Sequence, residues 1–251
     1  VTFTVLGFAI ESATLAIGVK NLAYSIIPRW HGWTPELRKV VKLYIPMVAA
    51  TSLMNMSDLI DQSMAALLPA GSVSTLIYGS KIITLMMSLT VTAIGTAVLP
   101  AFSRLVATKK FKELRKTYRD YVFALGTISI LLTMLFWFES ETIIRLFFKR
   151  GNFNLEDVST TAQVQKMFAL QIPFYILSSL TVRVVSTLQE NRPILIAAGI
   201  NLVVNVAGNL LFMRWFGLSG IAISTAVVYA VNLIFLYVTF RRVLQKRGAY
   251  P

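Results

Sequence analysis

Seven long apolar stretches constrain this chain more than any other feature of its sequence. Each reaches or approaches the roughly 20 residues that an α-helix needs to cross the hydrocarbon core of a membrane. Of the 251 residues, 56% are hydrophobic and only 14% are charged, which leaves too little polar surface for a water-soluble fold. We therefore predict an all-α integral membrane protein with about seven transmembrane helices. The predicted spans are residues 2–28, 44–68, 73–103, 121–138, 167–188, 194–213 and 218–240.

Basic residues are distributed unevenly over the connections between these stretches. With alternate connections on alternate sides of the membrane, one side holds 16 cations and the other holds four. Because cytoplasmic loops carry the excess of Lys and Arg, the 16-cation side and the C-terminus are predicted to be cytoplasmic. Seven of these cations lie in residues 104–120, predicted to form a basic helix against anionic headgroups. The net charge of +13 therefore predicts membrane lipids, and not nucleic acid, as partners.

Enzymatic chemistry finds little support in the sequence. The chain has no cysteine and a single histidine, His31, which excludes disulfides and thiolate metal sites and leaves little room for a triad. It contains no P-loop and no G-x-G-x-x-G after a strand. The Asp58-x-x-Asp61 pair has no second Asp-rich motif to complete a diphosphate site. We therefore predict that the chain is not an enzyme.

Ionisable side chains inside the predicted spans are candidate functional residues, because the membrane interior penalises buried charge. By helix rise, Asp61 and Lys81 lie at similar depths on two helices joined by the tight turn PAGS. They predict either a buried ion pair between the helices or the charged wall of a cavity or ion site. Arg183 lies near the inner end of its span, where it either extends to the interface or binds substrate.

Three asparagines, Asn201, Asn205 and Asn209, recur at four-residue spacing in NLVVNVAGNLLF. This spacing places successive amides on nearly the same face of a helix. Two interpretations stay open. The amides either form hydrogen bonds between helices, or they supply oxygen ligands to a small hard cation.

Several strings, taken in order, resemble the MurJ/MviN family of lipid II flippases. PAGSVSTLIYGSKI is followed by IGTAVLPAFSRLVA and then by IIRLFFKRGNFNLEDVSTTA. Pro193 and the Asn-rich helix come next, so that the resemblance covers most of residues 44–240. The family belongs to the multidrug/oligosaccharidyl-lipid/polysaccharide exporter superfamily, whose members have two six-helix lobes and work by alternating access.

The resemblance implies that this chain is the C-terminal lobe of a longer transporter, with the N-lobe of the same protein as a missing partner. The implied divisions are the last helix of the N-lobe (1–28), an interfacial interlobe connection (29–43), a six-helix C-lobe (44–240) and a basic cytoplasmic tail (241–251). The implied location is the bacterial cytoplasmic (inner) membrane, crossed several times.

The resemblance also implies roles for individual residues. Lys81 matches the basic residue that follows the family's tyrosine, and with Arg183 it is expected to bind the substrate. Four further positions match a sodium site found in some members, with an amide at Asn209 where those sites carry an acid. The expected sodium ligands are Asp61, Asn205, Asn209 and Thr225.

The function implied is that of a flippase for a polyprenyl-pyrophosphate-linked glycan, lipid II above all, with Na⁺ as the candidate coupling ion and no other cofactor. Two alternatives stay open. One is a multidrug/cation antiporter, or another polysaccharide-lipid exporter, of the same superfamily; the cationic Lys81 argues against the antiporter. The other is a non-transporting scaffold that recruits envelope-synthesis enzymes through its basic loops.

Overall fold

The computed structural model describes residues 2–21, 32–151 and 153–248, and within these ranges all regular structure is helical. The chain divides into two units, Val1–Tyr44 and Ile45–Pro251. The helices are α1 (Thr2–Asn21), α2 (Pro35–Ala65), α3 (Ser72–Ala107), α4 (Phe111–Phe138), α5 (Ser140–Phe148), α6 (Leu155–Ala169), α7 (Ile172–Thr187), α8 (Arg192–Phe216) and α9 (Leu218–Lys246).

The predicted all-α membrane class is confirmed by the composition of these helices. Among the described residues, α3, α4, α8 and α9 are each long and apolar enough to cross a membrane. The pair α6 and α7, bent by 40° at its junction, gives a fifth span if it is counted as one. These five correspond to the predicted spans from 73–103 onward.

Within the described residues, the first two predicted spans are not among the four or five found, and residues 22–28 of the first lie outside those residues. The apolar helical segment within α1 is Val5–Leu15, which is shorter than a span. The sequence of α2 is interrupted by Asp58, Asp61 and Gln62, which lower its mean hydropathy. The division of the chain into lobes stays a prediction.

The predicted connection 29–43 is partly helical. Residues 29–31, with His31, lie outside the described ranges, whereas α2 begins at Pro35. The backbone N–H of Leu37 donates to Thr34 Oγ1 over 3.2 Å, which caps the helix. Pro35, at the first helical position, has no N–H and so leaves no donor without a partner. The connection therefore contains a helix start, encoded at Thr34.

The predicted basic helix over 104–120 is wrong, because the segment breaks into the end of α3 and the start of α4. Lys109 adopts the left-handed conformation, with φ of 56°. The Lys110 N–H donates to the Leu105 carbonyl over 2.9 Å, and the Thr108 N–H donates to the Arg104 carbonyl over 3.0 Å. These bonds close the last turn of α3 and reverse the chain. The seven cations of the segment are therefore divided between the end of α3, the turn and the start of α4.

Helix α7 lies at the centre of the second unit. It packs against α3, α4 and α9, and four of the largest buried side chains, Ile83, Phe102, Leu180 and Phe240, lie on α3, α7 and α9. Large apolar side chains also remain outside the core; Phe123 and Phe138 on α4 are 78% and 77% exposed. An apolar core surrounded by apolar side chains is the arrangement expected of a bundle in lipid, where water does not penalise the outer surface.

The turn between α8 and α9 depends on a glycine that tolerates no side chain. A Cβ on Gly220 would overlap the backbone of Phe212 and Met213. We expect Gly220→Ala to lower the free energy of unfolding by about 1–3 kcal/mol, because backbone cannot move aside as a flexible side chain would. Thermal unfolding in detergent measures this effect. Gly199→Ala on α8, where the new methyl group meets nothing within 4 Å, is the matched control and should be neutral.

Candidate functional site

The Asp61 carboxylate on α2 is a hub that joins three helices. Its Oδ1 accepts hydrogen bonds from Asn205 Nδ2 at 2.9 Å and from Asn209 Nδ2 at 2.6 Å, both on α8. Its Oδ2 lies 3.4 Å from Thr225 Oγ1 on α9, a hydroxyl that also lies 3.0 Å from the Ile221 carbonyl. The side chain of Asp61 is only 8% exposed, so these bonds replace water around a buried charge. The structure thus brings together all four residues expected to bind sodium.

The asparagine amides at this hub have unused acceptors. Asn205 Oδ1 and Asn209 Oδ1 are buried and have no hydrogen-bond partner within the described chain. An amide carries its acceptor and its donors on opposite sides of one planar group. Rotation of each amide by about 180° would therefore turn two carbonyl oxygens toward Asp61.

The three-asparagine stripe does not act as a unit. Asn205 and Asn209 bond to Asp61, whereas Asn201, buried one turn earlier on α8, has no hydrogen bond to that carboxylate. Asn205 and Asn209 do join helices, so the first interpretation of the stripe holds for two of its three members. Cation binding at these amides stays a prediction.

Lys81 lines a cavity of about 360 Å³ together with both aspartates of α2, and we call this the Lys81 cavity. Its other polar lining comes from residues such as Gln171 and Thr225. The ion pair between Lys81 and Asp61 is not formed: within the described part of the chain, no Lys81 nitrogen lies within 4.0 Å of a carboxylate. Asp61 is bonded to amides instead, and Lys81 is exposed to the cavity. The structure therefore favours the charged wall over the ion pair.

Arg183 lines a second cavity of about 470 Å³, the Arg183 cavity. Its guanidinium lies against α3 at Gly95, where a Cβ would come within 3.0 Å of Nη2. Glycine at this position leaves the space that the guanidinium occupies. Asp58 and Asp61 line both cavities. The two expected substrate-binding cations, Lys81 and Arg183, therefore lie in different cavities that share the two aspartates.

Two tyrosines that the sequence reasoning missed also line both cavities. The rings of Tyr175 on α7 and Tyr229 on α9 are 4.9 Å apart and nearly perpendicular, at 86°. Tyr229 follows Thr225 by four residues, so a helical repeat from the predicted sodium ligand could have identified it. Tyr175 has no such signal, because its place depends on the bend between α6 and α7.

The comparison with known families decides what kind of membrane protein carries this site. Residues 2–249 match the family model described as lipid II flippase MurJ. The chain belongs to the MurJ family. The resemblance noted in the sequence is therefore confirmed over nearly the whole chain.

A curated relative agrees with this assignment, and solved structures share the fold. A probable lipid II flippase MurJ from Bdellovibrio bacteriovorus is 27% identical over 237 residues, which is 92% of this chain and 44% of that relative. A structure of lipid II flippase MurJ in an inward closed conformation has a TM-score of 0.67 and 22% identity, over 89% of this chain and 48% of that one. The Vibrio cholerae MATE transporter VcmN in the bent form has a TM-score of 0.73 and 15% identity, over 98% and 55%.

These structures show a shared helical transporter fold at low identity. The MurJ chain described here spans just under half the length of the relatives it matches. Membership of a transporter family fits the absence of a recognisable catalytic motif in the sequence. Along the described residues, no three His, Cys, Asp or Glu side chains group as they would around a metal ion.

Proposed function

We propose that the protein containing this MurJ chain translocates a polyprenyl-pyrophosphate-linked glycan, lipid II, across the bacterial cytoplasmic membrane by alternating access. The observation that carries the proposal is the Lys81 cavity: among apolar helices it exposes a cation that has no ion-pair partner within the described residues. An ionisable side chain within membrane-spanning helices is costly and marks a ligand or transport site. A pyrophosphate carries the opposite charge to Lys81.

The two cations, Lys81 and Arg183, are suited to a phosphate headgroup. The ammonium group of Lys81 acts as a point charge for a phosphate oxygen, and Arg183 offers a planar fork in the adjoining cavity. A lipid-linked glycan with its tail in the bilayer could place its phosphates against these two side chains. A cationic drug would be repelled by Lys81 but attracted by Asp58 and Asp61 in the same cavity, so Lys81 alone argues against the antiporter alternative.

The distribution of cations supports the proposed orientation, with the C-terminus in the cytoplasm. In that orientation the end of α9 and the turn between α3 and α4 face the cytoplasm. Transport in this family's two-lobe architecture requires an N-lobe of the same protein as partner. The activity proposed here belongs to the complete transporter.

We also propose that Asp61, Asn205, Asn209 and Thr225 bind Na⁺. A single carboxylate with two amide carbonyls and a hydroxyl offers hard oxygen ligands and one negative charge, which suits a monovalent cation better than a divalent one. Ligation requires the two amides to rotate so that their unpartnered Oδ1 atoms face the ion. The hydrogen bonds to Asp61 in the described state would then be replaced by bonds to the cation.

Sodium and substrate are expected to help each other bind. Both cavities share Asp58 and Asp61, whose negative charge repels a pyrophosphate. A cation at Asp61 cancels one of these charges and so favours the anion nearby. By thermodynamic linkage, the substrate then favours the cation to the same extent.

Reconstitution tests the proposed function directly. The protein expressed from its natural gene should move lipid II across the bilayer of proteoliposomes that contain no other protein, measured as lipid II made accessible to an enzyme added outside. A scaffold that only recruits other enzymes would leave the accessible fraction unchanged. Empty liposomes set the background, and transport no faster than this background contradicts the proposal.

A further inference from the structure

A second cationic site lies away from both central cavities, at the start of α4. Four cations, Lys112, Arg115, Lys116 and Arg119, alone line a pocket of about 350 Å³. Their spacing of three, four and seven residues places them along one face of the helix. None of them lines the Lys81 cavity or the Arg183 cavity.

The same helix face continues into an apolar groove. Arg115 and Arg119 also line a neighbouring cavity of about 410 Å³ whose walls come from α4, α7 and α9. The remaining lining is almost entirely apolar or aromatic: Tyr118, Val122, Leu177, Leu233, Ile234, Tyr237 and Phe240. A basic pocket and an apolar groove therefore meet at two shared arginines.

The floor of the groove is rigidly built. The Tyr118 ring packs on Phe240 with centroids 4.5 Å apart, and its hydroxyl lies 2.8 Å from Thr181 Oγ1. These contacts fix α4 to α9 and α7. By contrast, Ile234 is 63% exposed, which leaves the groove open along its outer side.

The dimensions of the groove fit a lipid tail. Arg115 and Val122 are seven residues apart on α4, and Phe240 and Leu233 are seven apart on α9, so each wall runs for about 10 Å. One leaflet of the hydrocarbon core is about 15 Å thick. The groove therefore accommodates most of an acyl chain that descends from the basic end.

The electrostatic balance at the basic end favours an anion. Lys112 and Lys116 form no ion pair anywhere in the described chain. The acids on the first turns of α4 are Glu113, paired with Lys110 at 3.1 Å, and Asp120, whose Oδ1 lies 3.7 Å from Arg119 Nε. Neither acid lines the pocket.

The geometry points to a binding site for one anionic phospholipid. Its phosphodiester lies in the basic pocket, and one acyl chain lies in the groove between α4, α7 and α9. This lipid is a bound regulator or structural partner and not the transported glycan. Basic pockets between transmembrane helices on the cytoplasmic side are suited to such headgroups. The site is independent of the proposed transport chemistry.

Lipid retention tests the headgroup contacts. The protein expressed from its natural gene is mixed in detergent with phosphatidylglycerol or phosphatidylcholine, and bound lipid is counted by native mass spectrometry. We expect one phosphatidylglycerol to be retained in preference to phosphatidylcholine. The double variant Lys112→Gln/Lys116→Gln should bind phosphatidylglycerol about 25-fold more weakly, at about fivefold per cation.

A matched pair separates a site from general surface charge. Lys109→Gln/Lys246→Gln removes the same charge, but neither residue lines the pocket and neither forms an ion pair within the described chain. The control pair should retain phosphatidylglycerol as the wild type does. Equal losses in the two double variants would reduce the effect to surface attraction and overturn the site.

The apolar half of the site needs its own test. Val122→Trp fills the groove without changing charge and should also abolish preferential retention, whereas Phe123→Trp on the exposed neighbouring face should not. Retention by Val122→Trp equal to that of the wild type overturns the acyl-chain placement. Retention of undecaprenyl pyrophosphate at this site, displacing phosphatidylglycerol, would assign it to the substrate and overturn the proposal.

Discussion

Lys81→Ala should abolish growth of a bacterial strain depleted of its own flippase, while the variant protein still accumulates in the membrane. The expected loss is large because Lys81 lines the cavity proposed for the headgroup and has no ion-pair partner in the described chain whose charge would be left behind. Its removal therefore takes away attraction for the pyrophosphate without creating an unpaired acid. Growth on depletion and membrane protein level are the two measurements.

Two variants control this experiment. Lys81→Arg keeps the charge and should retain partial activity, since a guanidinium also attracts phosphate but differs in shape. Lys246→Ala removes an exposed cation at the end of α9 and should grow normally. Normal growth of Lys81→Ala would contradict the role of Lys81 and would favour the scaffold, which tolerates changes in the cavity but not in residues 104–119.

Sequence reasoning located the helices well, because their apolar content is a local property that lipid enforces. It failed where the outcome depends on backbone detail. The predicted span 167–188 covers α7 and only the last three residues of α6, which together form the bent pair, with Pro173 in the first turn of α7. The residues between the predicted spans 121–138 and 167–188 contain α5 and most of α6, where Asn154 and Asp157 form a capping box. Caps and bends involve few residues and leave hydropathy almost unchanged.

The ion pair that the sequence allowed between Asp61 and Lys81 shows the limit of estimating depth from helix rise. Helix rise gives the depth of a residue in the membrane but not its direction around the helix axis. Lys81 and Asp61 both line the Lys81 cavity, but the Asp61 carboxylate is bonded to amides of α8 and lies near a hydroxyl of α9. The four-residue spacing of Asn205 and Asn209 does fix a direction, and both amides reach the same carboxylate oxygen. The prediction that they lie beside an aspartate about 145 residues earlier in the chain came from the family resemblance and not from spacing.

Asp61→Asn should abolish stabilisation by sodium while keeping the fold. A ligand at 100 times its dissociation constant stabilises a protein by about 2.7 kcal/mol. For the wild type this corresponds to a thermal midpoint about 5 °C higher in NaCl than in choline chloride of equal ionic strength. The variant should unfold at the same temperature in both salts, because the amide removes the only charge in the proposed ligand set. Differential scanning fluorimetry in detergent makes the comparison.

Asparagine is the informative replacement because it is nearly isosteric with aspartate. Asp61→Ala would leave the amides of Asn205 and Asn209 without an acceptor, at about 1–3 kcal/mol for each buried group, and would confuse lost binding with lost stability. Asn201→Ala alters the same helix face without touching Asp61 and should keep the sodium response. Asn209→Asp adds a second carboxylate and should bind sodium more tightly. A sodium-dependent shift that survives Asp61→Asn would remove the ion from this site.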